Sequence, residues 1–215
     1  LLPRPTEGFR TLTSIFGKNF PYSFGDDLTP TTAQITSFNR VTQIRSFSDL
    51  IVAFGLKVTG PAKIGFWQAL NQDIKIIYIQ RNPYEQIASH LNTGFWNQGV
   101  GDRELWWKYD IPARYSTYLS NAAETGMPDI LLAAQWRVIN EFAKFEIENS
   151  KKPENIITID YENYASDPTT CMADIYEFLN IPIENNFIEL RKFNKPSKVT
   201  LDNLELIKYW IERKI

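Results

Sequence analysis

Arg81 and Ser89, eight residues apart, flank a junction built to hold an anion. They lie in Lys75–Asn92, KIIYIQRNPYEQIASHLN. Arg81 brings a planar guanidinium that can grip an oxyanion through paired hydrogen bonds. Ser89 falls two turns into the following helix, where its hydroxyl can reach the same anion. The residues between them spell a helix start, with Asn82 as N-cap, Pro83 in the first helical position and Glu85 three residues after the cap. A helix N-terminus offers free backbone N–H groups and positive potential, so the guanidinium and the helix end are expected to act together. The other readings are a surface salt bridge for Arg81 and an ordinary helix hydroxyl for Ser89. Asp26 and Asp27 form an adjacent carboxylate pair in a Thr/Pro-rich stretch. They are either solvated turn residues or a pair in which one charge raises the other's pKa towards the range of a base.

The elements that must carry these residues follow from pattern. Lys75–Gln80 reads as a buried, β-branched strand closed by Arg81, and Ile51–Val58 as a second buried strand leading to a helix through Phe66–Leu70. Asn155–Asp160 is a further strand with Tyr161 at its end. The opening LLPRPTEGF reads as a strand end running through a loop into a helix over Phe9–Phe16, without the Gly-Lys-Ser/Thr ending of a Walker loop. Lys18–Ser48 reads as loop with short elements. Leu132, Trp136, Ile139 and Ala143 share one face of a helix over Leu131–Glu148. Asp167 caps another helix with Pro168 in its first turn and Met172, Ile175, Tyr176 and Leu179 as its buried stripe. A polar loop, Phe193–Thr200, precedes a final amphipathic helix to Ile215. Strands alternating with helices predict βαβ units and a parallel sheet. Trp106, Trp107, Tyr109, Tyr115 and Tyr118 crowd into Asn97–Pro128, read either as packing in a helical insertion over 97–128 or as the wall of an acceptor site.

Composition narrows the function. With 215 residues, 43% of them hydrophobic and 14% aromatic, the chain can build one substantial core, so a single domain over 1–215 is expected. A net charge of −2 argues against a nonspecific nucleic-acid binder. With Cys171 and His90 the sole cysteine and histidine, a disulfide within the chain, a Cys/His zinc site and a Cys–His nucleophile pair are excluded; His90 reads as a helix-face residue. No apolar run has the ~18 residues of a membrane span, and no signal peptide is visible. These absences favour a cytoplasmic protein, although the chain begins at Leu1 rather than Met and so leaves room for upstream residues.

Lys75–Leu91 resembles the 3′-phosphate-binding strand–helix of sulfotransferases that use 3′-phosphoadenosine 5′-phosphosulfate (PAPS). In that family an arginine at the strand end and a serine eight residues on hold the nucleotide 3′-phosphate, and Arg81 and Ser89 match both. Tyr161-Glu162-Asn163-Tyr164, then Asp167-Pro168 and Tyr176-Glu177-Phe178-Leu179, resemble its Tyr-Glu-Asp-Leu segment, acidic-proline helix start and Tyr-Glu-Phe-Leu helix. Trp136 and Asn140 fit a helix pattern common just upstream. The likeness runs over Ile51–Ile183 and implies a three-layer α/β/α fold with a central parallel sheet, like that of P-loop NTPases.

The resemblance also implies roles. Tyr161 is expected near the adenine, the other reading being an ordinary core aromatic. The 5′-phosphosulfate loop, usually Pro-Arg/Lys-Ser-Gly-Thr-Thr, has its counterpart in Pro3-Arg4-Pro5-Thr6-Glu7-Gly8, with Phe9 as an adenine-stacking aromatic. Only the proline and the basic residue survive there; Pro5 removes a donor and Glu7 adds a like charge. Gly25-Asp26-Asp27 corresponds to a Gly-Glu-Glu of members that resemble tyrosylprotein sulfotransferases. The Lys-Thr-His of cytosolic members aligns with Lys57-Val58-Thr59, so the base falls to Asp26 or Asp27, while Lys57 and Arg4 stabilise charge on the bridging oxygen. Lys57 also reads as a plain surface lysine. Among Arg191, Lys192, Lys195 and Lys198, the resemblance sets Lys192 at the 3′-phosphate, where the other reading is a solvated basic face. The expected activity is sulfuryl transfer from PAPS to a hydroxyl of a glycan, lipid or small metabolite, with 3′,5′-adenosine bisphosphate as product and no metal. The competing reading is a nucleotide-binding or structural module that has lost catalysis; a kinase-like enzyme fits less well without a Walker lysine.

Overall fold

The computed structural model describes residues 12–25, 28–45, 55–92, 105, 107–182 and 203–215. The chain divides into two compact units, one made of Leu1–Ile74, Trp107–Pro112 and Phe142–Pro153, the other of Lys75–Trp106, Ala113–Glu141 and Glu154–Ile215.

The first unit has an aromatic core to which helices contribute. Its α1, Thr32–Arg45, lies within the stretch expected to be loop. The signal that overrides the Thr/Pro-rich composition is a capping box: the Thr31 N–H donates to Gln34 Oε1 at 2.8 Å, and the Gln34 N–H donates back to Thr31 Oγ1 at 3.2 Å. Residues 12–16 are helical, in keeping with the end of the expected N-terminal helix. Helix α2, Ile64–Leu70, sends Ile64, Phe66, Trp67 and Leu70 into the core. There Phe20 packs against Phe16 at 4.7 Å and Phe66 at 4.8 Å, both in tilted geometries that avoid a face-to-face stack. The strand expected over Ile51–Val58 is corrected in its second half: residues 55–58 are irregular, and residues 51–54 lie outside the described part.

The second unit holds the sheet. Strands β1, Ile76–Gln80, and β2, Ile156–Asp160, run parallel in the register Ile76↔Ile156 to Gln80↔Asp160. The helices are α3, Pro83–Asn92; α4, Ala113–Glu124; α5, Pro128–Glu148; α6, Tyr161–Ser166; α7, Pro168–Leu179; and α8, Leu204–Glu212. Among the described residues the sheet has these two strands. That explains a second correction, since β1 is half-buried rather than buried and Ile79 is 60% exposed. The apolar stripe of α7 is likewise half-buried. Its expected cap holds, with Asp167 accepting from the Thr170 N–H at 3.1 Å; the Thr170 hydrogen bonds keep the Asp167 carboxyl below its usual pKa. In α4, Tyr115, Tyr118, Leu119 and Ala122 are buried.

Candidate functional site

The corner between β1 and α3 is assembled from side chains of four elements. Asn82 caps α3 as expected, its Oδ1 accepting from the N–H groups of Tyr84 at 3.0 Å and Glu85 at 3.3 Å. The reciprocal half of the capping box comes from elsewhere in the chain. Glu85 does not reach back to the Asn82 N–H; Glu162 of α6 accepts it through Oε1 at 3.1 Å. Glu85 lies instead beside Arg81, with Nη2 and Oε2 at 3.9 Å.

This corrects the expected anion site. Pro83 has no N–H, Tyr84 and Glu85 donate to Asn82, and Asn82 donates to Glu162, so the first amides of α3 are already taken. What remains for an anion is the guanidinium. Arg81 lies with Cζ 4.8 Å from the centre of the Tyr161 ring. Its Nε is buried without a hydrogen-bond partner among the described residues. A buried guanidinium nitrogen left unpaired is costly, and an incoming phosphate oxygen would satisfy it.

Helix α5 supports the corner from the other side. Trp136 Nε1 donates to the Arg81 carbonyl at 3.2 Å, and Asn140 Nδ2 donates to the Trp136 carbonyl at 2.7 Å. Tyr78 on β1 donates to Asn140 Oδ1 at 2.7 Å, and burial pushes the Tyr78 hydroxyl up to about 12, so it stays a donor at neutral pH. Ser89 is half-buried in α3, one turn beyond Glu85 on the same face. His90 next to it has its pKa lowered by burial and then by the Arg81 charge, which keeps the imidazole neutral.

A model of the sulfotransferase domain matches residues 61–213, well over half of the chain. The chain belongs to the sulfotransferase-domain family. No curated protein and no solved structure gives a significant match. Of the candidate residues in this sulfotransferase-family chain, Arg81, Ser89 and Tyr161 lie within both the match and the described structure, and the structure brings Arg81 and Tyr161 into contact. Lys192 lies within the match but outside the described residues, as do Arg191, Lys195 and Lys198. Arg4, Thr6, Gly8, Phe9, Asp26 and Asp27 lie outside both, and Lys57 is an exposed residue of the first unit, ahead of the match.

Two residues escaped the sequence reading. Glu162 sits one position after Tyr161, and nothing local announces that its carboxylate serves an amide 80 residues away. Lys63 is fully buried at the start of α2, in the left-handed region at φ 53°, with Nζ donating to the Pro61 carbonyl at 3.2 Å. Burial lowers its pKa to about 8 against the opposing pull of Glu146 and Asp110.

Proposed function

We propose that this sulfotransferase-family chain moves a sulfuryl group from PAPS to a hydroxyl of a glycan, lipid or small metabolite. The observation that carries the reading is the Arg81 guanidinium, backed by the Tyr161 ring and keeping a buried Nε without a partner among the described residues. Such a group suits the 3′-phosphate of the donor, with Ser89 as a second contact and Tyr161 towards the adenine. Lys192, in the C-terminal basic segment, adds charge for the same phosphate.

In the transfer the acceptor oxygen forms a bond to sulfur while the bond from sulfur to the bridging phosphate oxygen breaks. The electron pair stays on the phosphate and releases 3′,5′-adenosine bisphosphate. The roles that follow are Asp26 or Asp27 as the base taking the acceptor proton, and Lys57 and Arg4 as cations beside the bridging oxygen. Thr6, Gly8 and Phe9 complete the 5′ loop. The reaction calls for no metal, and the fold we assign is one α/β/α domain with a central parallel sheet.

Calorimetric titration with 3′,5′-adenosine bisphosphate tests the reading. Arg81→Ala is expected to weaken binding roughly 10- to 100-fold, the worth of a charged hydrogen-bond pair. Absence of binding to the unaltered chain, or indifference to Arg81→Ala, would remove the nucleotide assignment. Binding without sulfate transfer to any hydroxyl acceptor would favour a module that has kept the donor site alone, in line with Pro5 and Glu7 in the 5′ stretch.

A further inference from the structure

We infer that Glu162 and Trp136 are positioning residues that hold the peptide unit between Arg81 and Asn82 from both ends, and so aim the guanidinium at the 3′-phosphate. This rests on the proposed reading of Arg81 as the phosphate ligand. The C=O and N–H of a trans peptide point in opposite directions within one plane. Here the C=O, on Arg81, accepts from Trp136 of α5 at 3.2 Å, and the N–H, on Asn82, donates to Glu162 of α6 at 3.1 Å. The plane cannot rotate without breaking one of these bonds. Since that rotation is what changes ψ at Arg81, the direction in which its side chain leaves the backbone is fixed.

The far end of the same side chain rests on Tyr161, the residue before Glu162. The start of α6 therefore supports Arg81 twice, through its following peptide and through its guanidinium. That start is itself rigid, because Asp160 accepts the Asn163 N–H at 3.0 Å. Trp136 is anchored in turn by Asn140 at its carbonyl, and Asn140 by Tyr78 of the strand that leads to Arg81. A carboxylate is not the obvious choice next to a phosphate, since its charge repels the ligand. A glutamine would accept the same bond without that charge, which makes the positioning role separable from the electrostatic one.

The experiment is titration of the full chain with 3′,5′-adenosine bisphosphate and with adenosine 5′-monophosphate, which lacks the 3′-phosphate. The variants are Glu162→Gln, Glu162→Ala, Glu162→Asp and Trp136→Phe. The unaltered chain should prefer the bisphosphate. Glu162→Ala and Trp136→Phe should each cut that preference at least fivefold while the monophosphate affinity stays within about twofold. Glu162→Gln should keep or raise the preference, because the acceptor remains and the like charge is gone. Glu162→Asp, a methylene too short, should lose it with the charge intact, and it serves as well if Glu162→Ala does not fold. A preference untouched by Glu162→Ala, Glu162→Asp and Trp136→Phe would overturn the inference alone, as would equal weakening of both nucleotides. No preference in the unaltered chain would overturn the Arg81 reading and the inference with it.

Discussion

Lys63 in the first unit and Arg81 in the second are both cations drawn out of water, and their surroundings differ at each point. Lys63 is 0% exposed, lies 5.4 Å from the centre of the Phe20 ring, and runs its stem past Gly25, where an added Cβ would come within 3.2 Å of Lys63 Cγ. Its Nζ donates to a carbonyl two residues back. The Arg81 side chain keeps 27% of its surface open, leans on the Tyr161 ring and, among the described residues, holds Nε unpaired. A lysine can answer burial by giving up its proton, and its pKa falls accordingly. An arginine cannot, so a half-open guanidinium retains both its charge and its unused bonding capacity for a ligand. Burial of a cation therefore has different outcomes at the two positions, a lowered pKa at Lys63 and, among the described residues, an unspent donor at Arg81.

The sharpest way to break the contrast is to disturb the aromatic enclosure of the first unit. Gly60 has φ +95°, and a Cβ there would lie 1.9 Å from Trp107 Nε1. Gly60→Ala must therefore displace a buried tryptophan and adopt an unfavourable backbone, at a cost of at least about 3 kcal/mol measured by denaturant unfolding. Bisphosphate affinity of the folded fraction should stay within about twofold, as expected if stability and binding reside in different surroundings.

Removing the lysine charge gives the next effect, of opposite sign. The fall of the Lys63 pKa from 10.5 to about 8 corresponds to roughly 3 kcal/mol of penalty at pH 7. Lys63→Met should recover about 2 kcal/mol of it after roughly 1 kcal/mol is lost in leaving the Pro61 carbonyl unpaired. Between pH 8 and 10.5 the unfolded chain binds the lysine proton more tightly than the folded one. Stability of the unaltered chain therefore rises with pH through that window, and the advantage of Lys63→Met shrinks over the same range. A gain constant across it would mean that the charge carries no penalty.

The smallest effect belongs to the Arg81 corner. His90 has its folded pKa pressed below 6.5 by burial and by Arg81, so the unfolded chain takes up the proton first on acidification. Stability then falls as pH drops below 6.5. His90→Gln should flatten that slope in thermal melts while leaving stability at pH 8 nearly unchanged. An unaltered slope would show that burial of His90 does not set the acid dependence.

What the sequence made legible was local. The caps of α3 and α7 depend on residues three apart, and Asn82 and Asp167 were readable for that reason. Helix α1 was equally local, but the Thr31–Gln34 box was masked by a stretch rich in turn formers. Degree of burial was not legible: the β-branched run in β1 reads as core, yet Ile79 is exposed. The bond from Asn82 to Glu162 was beyond reach because it depends on strand pairing across 80 residues. Lys63 was hidden for a related reason, since its enclosure is made by Phe20 and Gly25 far earlier in the chain.

The span of the Arg81 contacts also sets when they can exist. Trp136 follows Arg81 by 55 residues, and Glu162 follows Asn82 by 80. At ~5–20 residues per second of synthesis, Arg81 is made roughly 3–16 seconds before its partners. Bringing ends that far apart together costs about 4 kcal/mol of chain entropy before any contact offsets it. The offset of 80 residues is also that of the β1–β2 register, so one closure event pairs the strands and orients the arginine. The orientation of the Arg81 guanidinium is therefore a late product of folding, carried until then by a chain that has the charge but no direction for it.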